Sequence, residues 1–201
     1  MDNTDPRVVT VIGAGVSGTQ SILKAIDNNA LVKVVDSSQS KLDELELQYG
    51  SNNVEYILST KDSIQSSIND SDLVIGSVYV VGKEAPKVIT REMLSSMNPG
   101  TVMVDVSIDQ GGCFETSKPT THDNPTFLEN EIVHYCVTNM PGAVPLTATE
   151  ALNKVTLSYI EYIANNGVSN ALDSDEHLMN GLNIKDGIII HPAVKEALSR
   201  L

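Results

Sequence analysis

Basic residues are scarce: 13 Lys and Arg stand against 26 Asp and Glu, a formal net charge of −13. Such a surface repels phosphate backbones and anionic headgroups, which excludes nucleic acid and membrane surfaces as partners and makes solubility the natural meaning of the charge. Long apolar runs are missing too. The longest, residues 73–81, is interrupted by Gly76 and Ser77 and falls far short of the roughly 20 residues of a spanning helix. The opening MDNTDPR offers no charged segment with an apolar stretch behind it, so a cleaved signal peptide is not expected. Cysteine is limited to Cys113 and Cys136, with no CxxC and no histidine at metal spacing. The expectation is a cytoplasmic, reduced, metal-free chain whose thiols serve as small buried hydrophobes. There is no internal repeat and no low-complexity tract.

What is present is alternation. At 201 residues and 41% hydrophobic, the chain can bury the core of one ample domain, or one domain plus an appendage. Short β-rich runs at residues 8–12, 31–35, 54–58, 73–77 and 101–106 alternate with helix-period segments at 17–29, 38–49, 61–69 and 90–97. That pattern predicts an α/β fold, a doubly wound parallel sheet with helices on both faces. Residues 109–129, rich in Gly, Pro, Thr and Asn, read as one long irregular stretch, the kind that is usually functional or disordered. A sixth apolar strand follows at 132–137. From Thr147, Ala148, Ala151, Leu152, Val155, Tyr159 and Ile163 mark one face of a helix ending near Asn166 and Gly167. The tail, residues 171–201, reads as two small helices around a strand-like 187–190. The expected division is a nucleotide-binding domain over 1–145 and a helical extension over 146–201.

The string VVTVIGAGVSG places Gly13, Gly15 and Gly18 in G-x-G-x-x-G spacing, after a strand and opening a helix. The first glycine permits a tight turn, the second lets pyrophosphate approach the backbone, and the third lets helix and strand pack closely. A glycine-rich turn alone is weak evidence; this context makes it a dinucleotide signature. The motif by itself also admits FAD or a sugar nucleotide. Asp36 ends the second strand near the offset at which an acid grips the ribose hydroxyls, and no arginine follows to accept a 2′-phosphate, so NAD is favoured over NADP. Asp72, ahead of the fourth strand, reads as a solvated strand-start acid. Residues 77–82 follow that strand at the carboxyl edge of the sheet, where Val78 and Tyr79 either touch adenosine or ribose or simply pack a strand end.

Three segments go further: VDVSIDQGG, PTTHDNPT and VHYCVTNMPGAVP. In this order and spacing they resemble the nicotinamide-binding domain of NAD-dependent L-alanine dehydrogenases, and the likeness continues at lower specificity from Val8 to about the C-terminus. The α-subunit of proton-translocating transhydrogenase shares the domain type, but tends to carry Glu in place of Asp109 and lacks the NMPGAVP string. The resemblance implies reversible oxidative deamination of L-alanine to pyruvate and ammonia, with hydride passing to NAD. It puts cofactor contacts on Gly13, Ala14, Gly15, Val16, Ser17 and Gly18, on Asp36, Lys41, Ser59 and Val78, on Val106, Ser107, Ile108 and Asp109, and on Val137, Thr138, Asn139 and Met140. Its catalytic aspartate falls on Asp109. A carboxylate beside nicotinamide can orient water or the amine and stabilise positive charge as hydride moves; on pattern alone Asp109 could equally begin an Asx turn before Gly111 and Gly112.

His122 and Asp123 have no nucleophile elbow to serve and read as hydrogen bonders that fix the loop. His134, on an apolar strand, reads as a core histidine, and His177 and His191 as solvent-facing. In the resembled family a separate substrate domain supplies a lysine for the pyruvate carboxylate and a histidine for its carbonyl or amine. With strand one beginning at residue 8, the expectation is that this chain lacks that half and does not reduce NAD with L-alanine alone. The apolar face of the helix from Thr147 is then expected to be exposed. Leu146 stands where relatives often carry a basic residue, and Tyr162 and Asn166 where some offer Glu and His to a metal. Two function classes stay open: the cofactor portion of an alanine dehydrogenase, acting as a homo-oligomer or with a complementing substrate-domain chain, and a non-catalytic NAD-binding module.

Overall fold

The computed structural model describes residues 5–80 and 84–199. Val81 and Gly82 of the expected cofactor edge, and the last two residues of the tail, lie outside them. The described chain divides into two compact units, Met1–Met140 and Pro141–Leu201.

The first unit is a seven-stranded sheet in the order β3-β2-β1-β4-β5-β7-β6. β1 (Val8–Ile12), β2 (Leu31–Asp36), β3 (Val54–Leu58), β4 (Leu73–Gly76), β5 (Val102–Asp105) and β7 (Ile132–Tyr135) are parallel. Their near-continuous Val and Ile content is what parallel strands covered by helices require. The order reverses between β1 and β4, the crevice position in a doubly wound sheet. α1 (Val16–Asp27) and α2 (Gln39–Tyr49) help cover one core, in which Val9, Val11, Ile22, Val34 and Leu42 pack together. α3 (Lys61–Ile68) contributes Ile64 and Ile68 to a second, with Val74, Met103 and Phe114. Thr10, fully buried in β1, is satisfied by the Ser67 carbonyl at 3.1 Å and the Ser71 hydroxyl at 2.7 Å.

Several boundaries differ from the sequence reading. The expected helix at 90–97 is only a 3₁₀ turn, Glu92–Ser96. Ser95 and Ser96 turn their hydroxyls back onto the Glu92 and Met93 carbonyls, so side chains compete for the acceptors an α-helix would use. The irregular stretch hides β6 (Thr126–Glu129), which pairs antiparallel with β7; Asn130 and Glu131, both at positive φ, make the reversal. Strands expected to reach Ser77, Val106 and Val137 stop at Gly76, Asp105 and Tyr135.

The second unit holds α4 (Pro145–Asn166), α5 (Val168–Ser174), α6 (Glu176–Asn180), a hairpin of β8 (Ile184–Lys185) and β9 (Ile188–Ile189), and α7 (Pro192–Leu198). α4 starts two residues before the expected Thr147 because Pro145 stands at its first turn, where a missing N–H costs nothing. It buries no residue, and Leu152, Val155 and Ile160 are exposed. The strand-like piece in the tail is a hairpin turned at Asp186 and Gly187, both at positive φ. His191 does not simply face solvent: its Nδ1 accepts the Ala193 N–H at 3.2 Å and caps α7. Among the described residues no helix is long and apolar enough to cross a membrane.

Candidate functional site

The site begins where β1 ends. Gly13, at φ +93°, turns the chain off the strand, and its N–H is held by the Val35 carbonyl at 2.8 Å. The three glycines do different work. A Cβ on Gly13 would lie 2.6 Å from the Ser77 carbonyl oxygen, and one on Gly18 only 1.8 Å from the Gly13 carbonyl oxygen. A Cβ on Gly15 would meet nothing within 4 Å. Gly13 and Gly18 let loop, helix and β4 close on one another, whereas Gly15 leaves open space above the amino end of α1.

That amino end is uncapped by any side chain and has no acid in its first turn. Free N–H groups and the positive end of the helix dipole are what a phosphate group needs. Ser77, just past β4, donates its hydroxyl to the Gly13 carbonyl at 2.6 Å and fixes the turn from behind. Asp36 fixes it from the side. Its Oδ2 accepts the Ala14 N–H at 2.7 Å and its Oδ1 accepts the Ser38 N–H at 2.8 Å, so one carboxylate ties the glycine turn to the start of α2.

A recess of about 730 Å³ spans these parts, lined by Gly13, Gly15, Val16, Ser17, Asp36, Ser59, Val78 and Tyr79 among others. Val16 is 88% and Tyr79 67% exposed, apolar surface standing open above it. A smaller recess of about 190 Å³ shares Ser17, Ser77, Val78 and Tyr79 and continues to Val106, Ser107, Asp109 and Gln110. The two form one trough along the carboxyl edge of β2, β1, β4 and β5, with Asp36 toward one end and Asp109 toward the other. Asp109 sits exposed on a 3₁₀ turn, Ile108–Gln110. The buried Oε1 of Gln110, a residue on the wall of the smaller recess, has no hydrogen-bond partner among the described residues.

The remaining expected residues lie off these two recesses. Ala14, Gly18, Ile108 and Val137 are buried and act through packing or backbone. Lys41 forms a surface pair with Glu44 at 3.0 Å. Thr138, Asn139 and Met140 follow β7; the Asn139 carbonyl meets His122 Nε2 at 3.1 Å, so His122 fixes the loop to that strand end. Asp72 accepts the Val8 N–H at 2.9 Å and pairs with Arg7, holding the start of β1. Ser37, Pro86 and Val88 line the larger recess without having been singled out. Pro86 and Val88 belong to no recognisable element, and only the tertiary course of their segment brings them here.

Burial raises the pKa of both cysteine thiols, and at Cys113 the neighbouring Asp105 carboxylate adds to it. Neither thiol is a nucleophile of this site. Burial lowers the pKa of His134, whose Nε2 meets the Thr116 hydroxyl at 2.8 Å and whose Nδ1 meets the Ile132 carbonyl at 3.1 Å. It is a core histidine stacked on Phe127.

The model of the family described as alanine dehydrogenase/PNT, C-terminal domain, matches residues 2–192. An alanine dehydrogenase of Halomonas elongata is 49% identical over 192 residues, which are 96% of this chain and 52% of that protein. One from Mycolicibacterium smegmatis is 42% identical over 193 residues, with the same shares. Among solved structures, an L-alanine dehydrogenase superposes with a TM-score of 0.87 at 41% identity, over 98% of this chain and 54% of the other. A transhydrogenase from Sinorhizobium meliloti gives 0.73 at 25% identity, over 94% and 51%. The chain spans about half the length of the curated relatives it matches.

Proposed function

Since the chain belongs to the alanine dehydrogenase/PNT C-terminal domain family, whose members bind NAD, we propose that it is the cofactor-holding portion of an L-alanine dehydrogenase. The observation that carries this is the trough: an uncapped helix end beneath open glycine backbone, with one carboxylate toward each end. The residues present fit the cofactor. Gly15 leaves room for pyrophosphate over the N–H groups of Val16 and Ser17.

In this reading Asp36 orients the adenosine ribose through its hydroxyls while it pins the glycine turn, Ser59 lines that recess, and Tyr79 stands where the two recesses meet. Val16 and Val78 supply apolar wall. NAD, when bound, would supply the acceptor for a hydride from Cα of L-alanine. Asp109 supplies a carboxylate that stabilises positive charge at that end and orients the amine or water. Ser107, beside it, lines the same recess, and the family resemblance adds Asn139 and Met140 as contacts. L-Alanine and pyruvate, a substrate-holding portion acting with this one, a homo-oligomer and a cytoplasmic location all belong to the same proposal. Asp109 and the NMPGAVP string favour the dehydrogenase over the transhydrogenase alternative.

Calorimetric titration of the chain with NADH and NADPH tests the cofactor assignment. A carboxylate about 5 Å from a 2′-phosphate at a partly exposed site costs NADPH tenfold or more, so NADH binds at least about tenfold tighter. Asp36→Ser narrows that gap to about threefold or less. No NADH binding, or a preference for NADPH, refutes the assignment.

A further inference from the structure

The loop that carries Asp109 closes on a carboxylate that the cofactor reading does not use. Asp105, the last residue of β5, is fully buried, and among the described residues all its partners are hydrogen-bond donors and none is a cation. Oδ1 accepts the Ser107 N–H at 3.0 Å and the Cys113 S–H at 3.4 Å. Oδ2 accepts the Cys113 N–H at 2.8 Å, the Ser117 hydroxyl, and more weakly the Phe114 N–H at 3.4 Å. Only a side chain with acceptors on both branches satisfies such a shell; an amide would turn its NH₂ onto other donors.

These bonds tie Asp105 to residues two, eight and twelve positions further on, so the chain from Ser107 to Ser117 is drawn into a closed loop about the carboxylate. Gly112, at φ +76°, is pressed so close that a Cβ there would lie 2.7 Å from Oδ2. From outside, Lys87 Nζ donates to the carbonyls of Gly111 and Gly112. Inside the loop Ile108 is buried, and the 3₁₀ turn leaves Asp109 exposed at its tip. An exposed side chain on a short turn has little of its own to hold it. Its place is set by what holds the turn.

We propose that Asp105 is a positioning residue: its carboxylate fixes Asp109, and with it the nicotinamide end of the trough, without touching the cofactor. The proposal rests on the NAD reading above, and the test separates the two. The chain and its Asp105→Asn variant are titrated with NADH and with ADP-ribose, which shares adenosine and pyrophosphate but lacks nicotinamide. The wild-type chain binds NADH more tightly than ADP-ribose. Loss of charge-assisted hydrogen bonds in the loop weakens NADH about tenfold in the variant and leaves ADP-ribose within about twofold.

A merely structural role would weaken both ligands together. Parallel loss, or no loss of either, overturns the proposal, as does a wild-type chain that binds the two equally. A wild-type chain that binds neither overturns the NAD reading and this inference with it. Should Asp105→Asn give no cooperative melt, Ser117→Ala removes one donor from the same carboxylate at a half-buried position. NADH then weakens by about threefold with ADP-ribose unchanged, and an unchanged NADH affinity or an equal loss of both overturns the proposal.

Discussion

Two alanine substitutions in one six-residue motif should separate stability from binding. In Gly18→Ala the new Cβ would lie 1.8 Å from the Gly13 carbonyl oxygen and 2.6 Å from Ser77 Oγ, the hydroxyl that fixes the glycine turn. Ordinary contact starts near 3.4 Å, so α1 must retreat by about 1.6 Å. The retreat pulls Ile22, fully buried, out of its packing with Val9, Val11 and Val34. Overpacking of this kind costs up to about 3 kcal/mol, against about 1 kcal/mol gained by replacing glycine inside a helix, for a net loss of about 2 kcal/mol. For a chain of this size that lowers Tm by roughly 4–8 °C.

Gly15→Ala meets nothing within 4 Å, and its φ of −68° suits any residue. A weaker N-cap costs up to about 1 kcal/mol, and the stiffer unfolded chain returns about 0.4–1, so Tm stays within about 2 °C. The added methyl instead occupies the space through which pyrophosphate reaches the helix N–H groups. Loss of one charge-assisted hydrogen bond, about 2 kcal/mol, weakens NADH about thirtyfold. Thermal melts by circular dichroism and calorimetric titration of both variants are the assays. If Gly15→Ala keeps wild-type NADH affinity, or melts as early as Gly18→Ala, the division of labour among the glycines is wrong.

Further expectations concern the core. Burial holds His134 below its ordinary value of 6.5, so the unfolded state takes up the proton first. Its contribution is complete above pH 6.5 and is lost as pH falls from there through the folded value; in His134→Gln the decline of Tm as pH falls below 6.5 flattens, and an unchanged slope would count against it. Glu129 is held low by hydrogen bonds from Arg91 and Lys118, so its own loss falls in a separate window, as pH drops below 4.5. The cysteines should resist thiol reagents at roughly pH 8 in the native chain and react in full once it is unfolded; rapid native labelling of either contradicts their burial.

Much of the frame was legible in order along the chain. The alternation of apolar runs with helix-period segments sufficed for the parallel sheet, because strands buried on both faces must be apolar throughout and their crossovers must be helical. The glycine spacing marked the turn, and the strand ends placed Asp36, Val78 and Asp109 at one edge. Less visible were elements that depend on a distant partner. β6 carries no strand signal of its own strength and exists because β7 offers it an edge, while the segment at 92–96 has helical composition but serines that take its carbonyls. Lys41 sits at a position the family resemblance marks, yet its ammonium pairs with Glu44 on the surface of α2.

The sequence by itself determined the fold class, the glycine turn and the family, since these follow from local periodicity and from residues whose spacing is chemically unusual. Tertiary structure alone decided which groups hold that turn and the loop opposite. Asp36 reaches back twenty-two residues to the Ala14 N–H, and Asp105 gathers donors as far on as Ser117. In the string VDVSIDQGG the family resemblance marks Asp109, but no residue there says what Asp105 does. Burial decides that: the acid at the strand end is closed in by donors and holds the loop, and the one four residues later is left in the open, where a cofactor can meet it.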